Sequence, residues 1–387
     1  MRTARVDFDG RILSMQGPER TESLWIKNDY PWSRFSESLF AQLGTMHMVA
    51  PYLPSKIETG FHISPEIKEL IGSMYTSTAN EKKGKKIKAP KFVSPLVDTD
   101  YSRNHPESLK EKIAILYSAG KDSMWNLMWA AEEYGMDNVL VIHIRGLNKN
   151  SGPSEYKNVL NQQRVFGFKH LKVIELNNGS LNTGFRIMRS REMFIAGLAI
   201  PVALEFGADK VVREGYFDCT DPDTYFTGVE DNMVYFNRIL DRLDIPVQVC
   251  WRNRDEMLTI KDLFDRKPDW MPHVCNCFTI ACYRGSHRRT FQKAMPTFPL
   301  YDSQCGVCVK CRITNIARIL YDPQIREAKL DDIRTFLEKT DIWIRNQKRA
   351  NEGTMSNVLD MIQGPFMRDY FRACQQYGIQ TRSAKLV

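Results

Sequence analysis

The sequence predicts an α/β protein centred on a parallel five-stranded sheet with helices on both faces. Three observations carry that expectation. From Lys112 onward, short apolar runs alternate with longer helical patterns, as they do when crossover helices join parallel strands. One unit, IAILYSAGKDSMWNLMW over Ile113–Trp129, sets a strand, a small polar loop and a helix side by side. Beyond the last alternating unit, Cys305, Cys308 and Cys311 stand at metal-ligand spacing.

Residues 1–78 read as a small α+β N-terminal domain. Val6, Phe8, Ile12 and Leu13 flank Asp9-Gly10, a hairpin signal. Helical patterns cover 35–49 and 64–75, the second opened by Ser64-Pro65-Glu66. No chemistry-bearing motif occurs there, so the expected role is packing or recognition of a protein partner. Residues 79–111 read as a basic linker, with six lysines between Lys82 and Lys91 and no interleaved aromatics.

A nucleotide-binding domain is expected over 112–272. After the first unit come strands at 138–145, 171–176, 210–216 and 246–251, with helices at 154–166, 190–206 and 231–243 between them. Pro201 predicts a kink in the helix at 190–206. Ligands of such sheets lie beyond the carboxyl ends of the strands. Three loops meet there: Ser118–Ser123 after strand one, Ile144-Arg145-Gly146 after strand two, and Tyr216-Phe217-Asp218-Cys219 after strand four.

The loop Ser118-Ala119-Gly120-Lys121-Asp122-Ser123 offers backbone N–H groups and the positive end of a helix, an anion site. Gly120 lets the backbone approach a ligand, and the Ser118 and Ser123 hydroxyls add donors. The Walker spacing is absent: Ile115 stands where its first glycine belongs, and Asp122 follows the lysine. The Asp122 carboxylate either places a metal ion or caps the helix.

A metal-binding segment is expected over 273–320 and a helical tail over 321–387. Three of four tetrahedral ligands come from Cys305, Cys308 and Cys311, and Cys275, Cys277 or Cys282 can close the set. Zinc without an open position is structural; an iron–sulfur cluster is the rival.

Nine cysteines without an apolar leader in MRTARVDFDG predict a reducing, cytoplasmic setting. The longest apolar stretch, Met193 to Leu204, is too short to span a bilayer and contains Pro201, so no membrane association is expected. A net charge of +8 is compatible with nucleic acid or nucleotide partners and requires neither.

The hexapeptide resembles the PP-loop, Ser-Gly-Gly-x-Asp-Ser, of pyrophosphatases that split ATP into AMP and pyrophosphate. Together with Arg191 ahead of an apolar helix, Gly215-Tyr-Phe-Asp218-Cys219, Ala281-Cys282-Tyr283 and Cys305-Gly-x-Cys308-x-x-Cys311-Arg312, it looks like 7-cyano-7-deazaguanine synthase. The resemblance is discontinuous over about 112–318. It implies a Rossmann-like, adenine nucleotide alpha hydrolase-like fold. The implied ATP-binding set is Ser118, Ala119, Gly120, Lys121, Asp122 and Ser123; His143 and Arg145, at the end of strand two, are added to it for their place at the same end of the sheet. It further implies that Arg191, Asp218 and Cys219 lie in the crevice that binds a 7-deazaguanine, where Phe217 is expected to border the ring, and that Cys282, Cys305, Cys308 and Cys311 hold zinc. Departures from the family pattern are Ala119 for the middle glycine, Lys121 for an apolar residue, Glu192 after the arginine, and no Tyr-Gly-Gln after strand two.

The implied activity is adenylation of a carboxylate by ATP with Mg²⁺, followed by transfer to ammonia or another amine. Lys121, Asp122, Arg191 and Asp218 are the expected catalytic residues, with Lys121 offsetting phosphate charge. Two other classes fit the same motifs. One is a PP-loop tRNA sulfurtransferase, marked by a reactive cysteine or an iron–sulfur centre. The other is a nucleotide-binding scaffold without turnover.

Overall fold

The computed structural model describes residues 3–16, 24–27, 33–49, 52–81, 88–95, 111–147, 152–177, 188–213, 227–250, 256–275, 277, 280–350 and 364–382. The strands are β1 (Thr3–Phe8), β2 (Ile12–Gln16), β3 (Leu24–Lys27), β4 (Lys56–Thr59), β5 (Lys91–Val93), β6 (Ile113–Leu116), β7 (Val139–Arg145), β8 (His170–Leu176), β9 (Lys210–Val212) and β10 (Gln248–Cys250). The helices are α1 (Arg34–Val49), α2 (Pro65–Glu81), α3 (Lys121–Tyr134), α4 (Gly152–Phe166), α5 (Met188–Phe206), α6 (Thr227–Arg242), α7 (Glu256–Arg266), α8 (Ile280–Ala294), α9 (Val309–Tyr321), α10 (Leu330–Ala350) and α11 (Pro365–Gln376).

The strands form one mixed ten-stranded sheet in the order β10-β9-β6-β7-β8-β3-β2-β1-β4-β5. This corrects the expectation of a sheet that is five-stranded and wholly parallel. The pairings from β10 to β8 are all parallel. At β8 the sheet continues instead of ending, because β3 adds antiparallel through Ile26↔Leu176 and Lys27↔Glu175. The N-terminal strands then follow, with β1–β2 and β2–β3 antiparallel and β1–β4 and β4–β5 parallel.

Alternate side chains of a strand face opposite ways, and here both faces are apolar. Ala114 and Leu116 of β6, with Leu140 and Ile142 of β7, join one core with residues of α1, α2, α5 and α6. Ile113 and Ile115, with Val139 and Val141, join the other with residues of α3, α4 and α7 to α11. Two-sided burial explains why these strands read as continuous apolar runs. It also explains helices on both faces.

The N-terminal unit shares the first of these cores. Its helix α1 packs along α5, and Leu13, Ile26, Phe40 and Leu198 are fully or almost fully buried in that same core. The Asp9-Gly10 hairpin forms, with Asp9 Oδ1 accepting from the N–H groups of Arg11 and Ile12 at 2.9 and 2.7 Å. Ser64 accepts at its hydroxyl from Ile67 N–H at 3.3 Å, as a cap of α2. The expected linker contains a strand, since β5 pairs with β4. Helix α5 runs through Pro201. Among the described residues, no helix is long and apolar enough to cross a membrane.

Candidate active site and metal centre

Strand β6 delivers Ser118–Gly120 to its carboxyl end, and α3 begins at Lys121. The loop closes on itself through its two serines. Ser123 Oγ lies 3.3 Å from Ser118 Oγ, accepts from Ser118 N–H at 3.3 Å and donates to Gly120 O at 3.1 Å. Ala119 is fully buried and adopts φ +64°. A left-handed conformation costs an L-residue about 1 kcal/mol or more, and the PP-loop pattern that this loop resembles has glycine at this position.

Strong ties hold Ala119 there. Its carbonyl oxygen accepts from Cys275 N–H at 3.0 Å and from Gln162 Nε2 at 3.0 Å. Gln162, buried on α4, also donates to His273 O at 2.7 Å and accepts from the Tyr117 hydroxyl at 2.6 Å. One amide side chain therefore links the loop, the strand before it and the segment at 273–275. Sequence reasoning missed it. Its signal was a polar residue on the apolar stripe Val159–Gln162–Phe166 at helical spacing.

Lys121 is turned inward and is 1% exposed. Its Nζ lies 2.8 and 2.7 Å from the two oxygens of Asp122 and 2.7 Å from Glu256 Oε1. Burial alone would lower the ammonium's pKa; Asp122, then Glu256, more than offset it and hold the group charged above its usual range. Burial raises the Glu256 carboxyl, and Lys121 pulls it part of the way back. Helix α3 is capped at Gly120 without a side-chain bond, while both Asp122 oxygens bond Lys121. Glu256, in the first turn of α7, was not anticipated.

At the end of β7, His143 is 1% exposed, and its Nδ1–H donates to Tyr117 O at 2.9 Å. Burial lowers its pKa to about 4, so the ring is neutral near pH 7. Among the described residues its Nε2 has no hydrogen-bond partner, and the ring stacks on Tyr156. Arg145 is exposed; it pairs with Glu175 at 2.5 Å and covers the Tyr156 ring. Arg191 lies in α5, but its side chain, like Phe217, Asp218 and Cys219 as a whole, lies outside the described residues.

The cysteines converge from two segments. The sulfurs of Cys277, Cys305, Cys308 and Cys311 all lie within 4.8 Å of one another. Cys277–Cys308 and Cys305–Cys311 are each 3.8 Å apart. An ion about 2.3 Å from four tetrahedral sulfurs spaces them about 3.8 Å apart. The four can hold one metal ion such as zinc. Thiolates bound to separate irons of a cluster would need wider spacing.

Cys277 thus stands at the corner that the resemblance gave to Cys282, whose side chain lies outside the described residues. Gly306, at φ +80°, makes the turn, and a Cβ there would lie 2.4 Å from the Phe291 ring. The Cys308 N–H donates to Cys305 Sγ at 3.4 Å, and Cys308 is the N-cap of α9. Hydrogen bonding with Cys277, then Cys305, pushes the Cys308 thiol up. A cation would relieve that crowding. Arg312 braces the turn, donating to Val307 O at 3.0 Å and Thr340 Oγ1 at 2.7 Å.

No protein-family model matches the chain, and no curated protein matches it.

Proposed function

We propose that the chain is an ATP-dependent carbon–nitrogen ligase that adenylates a carboxylate, releasing pyrophosphate, and passes the acyl group to ammonia or another amine. The observation that carries this reading is the loop Ser118–Ser123. It lies between a buried parallel strand and a helix N-terminus, closed by its own serines and lacking the Walker spacing. The five parallel strands, ordered with β6 at their centre, suit a Rossmann-like, adenine nucleotide alpha hydrolase-like unit extended by the N-terminal strands. At their carboxyl ends the loop would hold pyrophosphate and leave the α-phosphorus open to attack.

A free carboxylate does not accept ammonia at neutral pH, because oxide would have to leave. In the proposed reaction a carboxylate oxygen attacks the α-phosphorus and pyrophosphate leaves. The amine then displaces AMP, which keeps that oxygen. Mg²⁺ would supply charge stabilisation on the phosphates. Asp122 is the carboxylate of the loop suited to hold it. Zinc on Cys277, Cys305, Cys308 and Cys311 would be structural, since four protein ligands leave no open position. The acceptor we propose is the carboxylate of a 7-deazaguanine, with Arg191, Phe217, Asp218 and Cys219 around it. That choice rests on sequence resemblance.

One observation favours a second reading, a PP-loop sulfurtransferase acting on tRNA. Cys275, outside the metal set, is bonded through its N–H to Ala119 of the loop. Incubation with ATP, Mg²⁺, ammonia and carboxy-deazaguanine separates the two. AMP, pyrophosphate and an amide or nitrile support the ligase. Pyrophosphate release only with tRNA and a sulfur donor, abolished by Cys275→Ala, supports the other.

A further inference from the structure

The charged groups beneath the loop are arranged in an order that simple packing does not require. Burying an ion costs several kcal/mol even after relaxation, and apolar replacements of buried ion pairs often fold as well or better. Lys121 and Glu256 are 1% and 8% exposed. They come from different elements: Lys121 opens α3 beyond β6, and Glu256 opens α7 on the carboxyl side of β10. Of the three groups, Asp122 keeps the most side-chain exposure, 24%.

The charges have a consequence at the surface. With Lys121 as its only charged neighbour, Asp122 would belong to an electrically neutral pair. Glu256 at 2.7 Å adds a second carboxylate to Lys121, so the three groups together carry a net negative charge while Lys121 still grips both Asp122 oxygens. Each carboxylate oxygen accepts more than one bond, leaving lone pairs directed away from Lys121.

Resting on the nucleotide reading of Ser118–Ser123, we infer that Glu256 is a positioning residue. Acting through Lys121, it fixes the orientation of Asp122 and keeps the cluster net negative, so that Asp122 serves as a ligand for the divalent cation that accompanies a nucleoside triphosphate. Such bracing is what a site needs to hold a metal ligand in place before the ligand arrives.

The test is calorimetry of ATP with and without Mg²⁺ on the full chain, with melting temperature and metal content checked for each variant. Glu256→Gln keeps the shape and removes the balancing charge. It should weaken Mg²⁺–ATP binding about tenfold or more while leaving Mg²⁺-free ATP within about twofold. The double variant Lys121→Met/Glu256→Met removes the pair together and should show a smaller loss, because the site stays net negative while Asp122 loses its brace. Mg²⁺–ATP affinity within twofold of wild type in folded Glu256→Gln overturns the inference, as does a loss equal with and without Mg²⁺. Should Glu256→Gln fail to fold, wild-type Mg²⁺–ATP affinity in the double variant overturns it. A wild-type chain that binds ATP under neither condition overturns the nucleotide reading itself.

Discussion

The backbone N–H of Cys275 donates to the carbonyl oxygen of Ala119 at 3.0 Å, joining the candidate nucleotide loop to the segment that carries the candidate metal ligand Cys277. Gln162 reinforces the joint by donating to both Ala119 O and His273 O. Stripping the metal should free that segment and, with it, the loop. Hydrogen exchange should then show protection at Cys275 and over 117–124 falling by about tenfold or more. Unchanged protection in chelator-treated, folded protein would mean that the metal centre and the loop are independent.

The metal set itself can be read by mass spectrometry. The wild type should carry one equivalent, Cys277→Ser and Cys308→Ser should lose it, and Cys282→Ser should keep it. Retention in Cys277→Ser with loss in Cys282→Ser would restore the ligand choice that the resemblance implied.

Gly306→Ala puts a methyl 2.4 Å from the Phe291 ring at a φ of +80°. The two effects act together on a turn between two metal ligands. The expected destabilisation is about 3 kcal/mol, measured by denaturant unfolding with metal present. A change below about 0.5 kcal/mol would show that the turn relaxes freely.

His143 predicts a pH dependence. Its folded pKa of about 4 lies below its ordinary value of 6.5 because burial disfavours the imidazolium. The unfolded chain therefore binds more protons between these values, and stability is lost as pH falls through 6.5 toward 4. The loss between pH 7.5 and pH 5 should be about 2 kcal/mol from this group. It should be missing in His143→Gln when the two pH dependences are compared. Parallel curves would contradict it.

The five parallel strands were legible because two-sided burial leaves an apolar run that a sequence displays directly, as in Ile113-Ala114-Ile115-Leu116. The joining of the sheets was not. Strand β3 is four residues long and meets β8 through Ile26 and Lys27 alone, a pairing across most of a domain with no local signal. Strand β5 lies in a lysine-rich stretch whose composition hides it. At the site, the loop and three of the four cysteines stood in the sequence as motifs. Cys277 did not stand out from Cys275 and Cys282, because spacing within one segment cannot say which thiol meets another segment. Glu256 and Gln162 owe their importance to partners distant in the chain, Lys121 and Ala119, and only the fold brings them together.

Oxygen-18 follows the proposed adenylation of a carboxylate atom by atom. Carboxy-deazaguanine labelled in both carboxylate oxygens, incubated with the enzyme, ATP, Mg²⁺ and ammonia, should yield AMP carrying one labelled oxygen together with pyrophosphate. Unlabelled AMP, or ADP and phosphate as the primary products, would contradict the account.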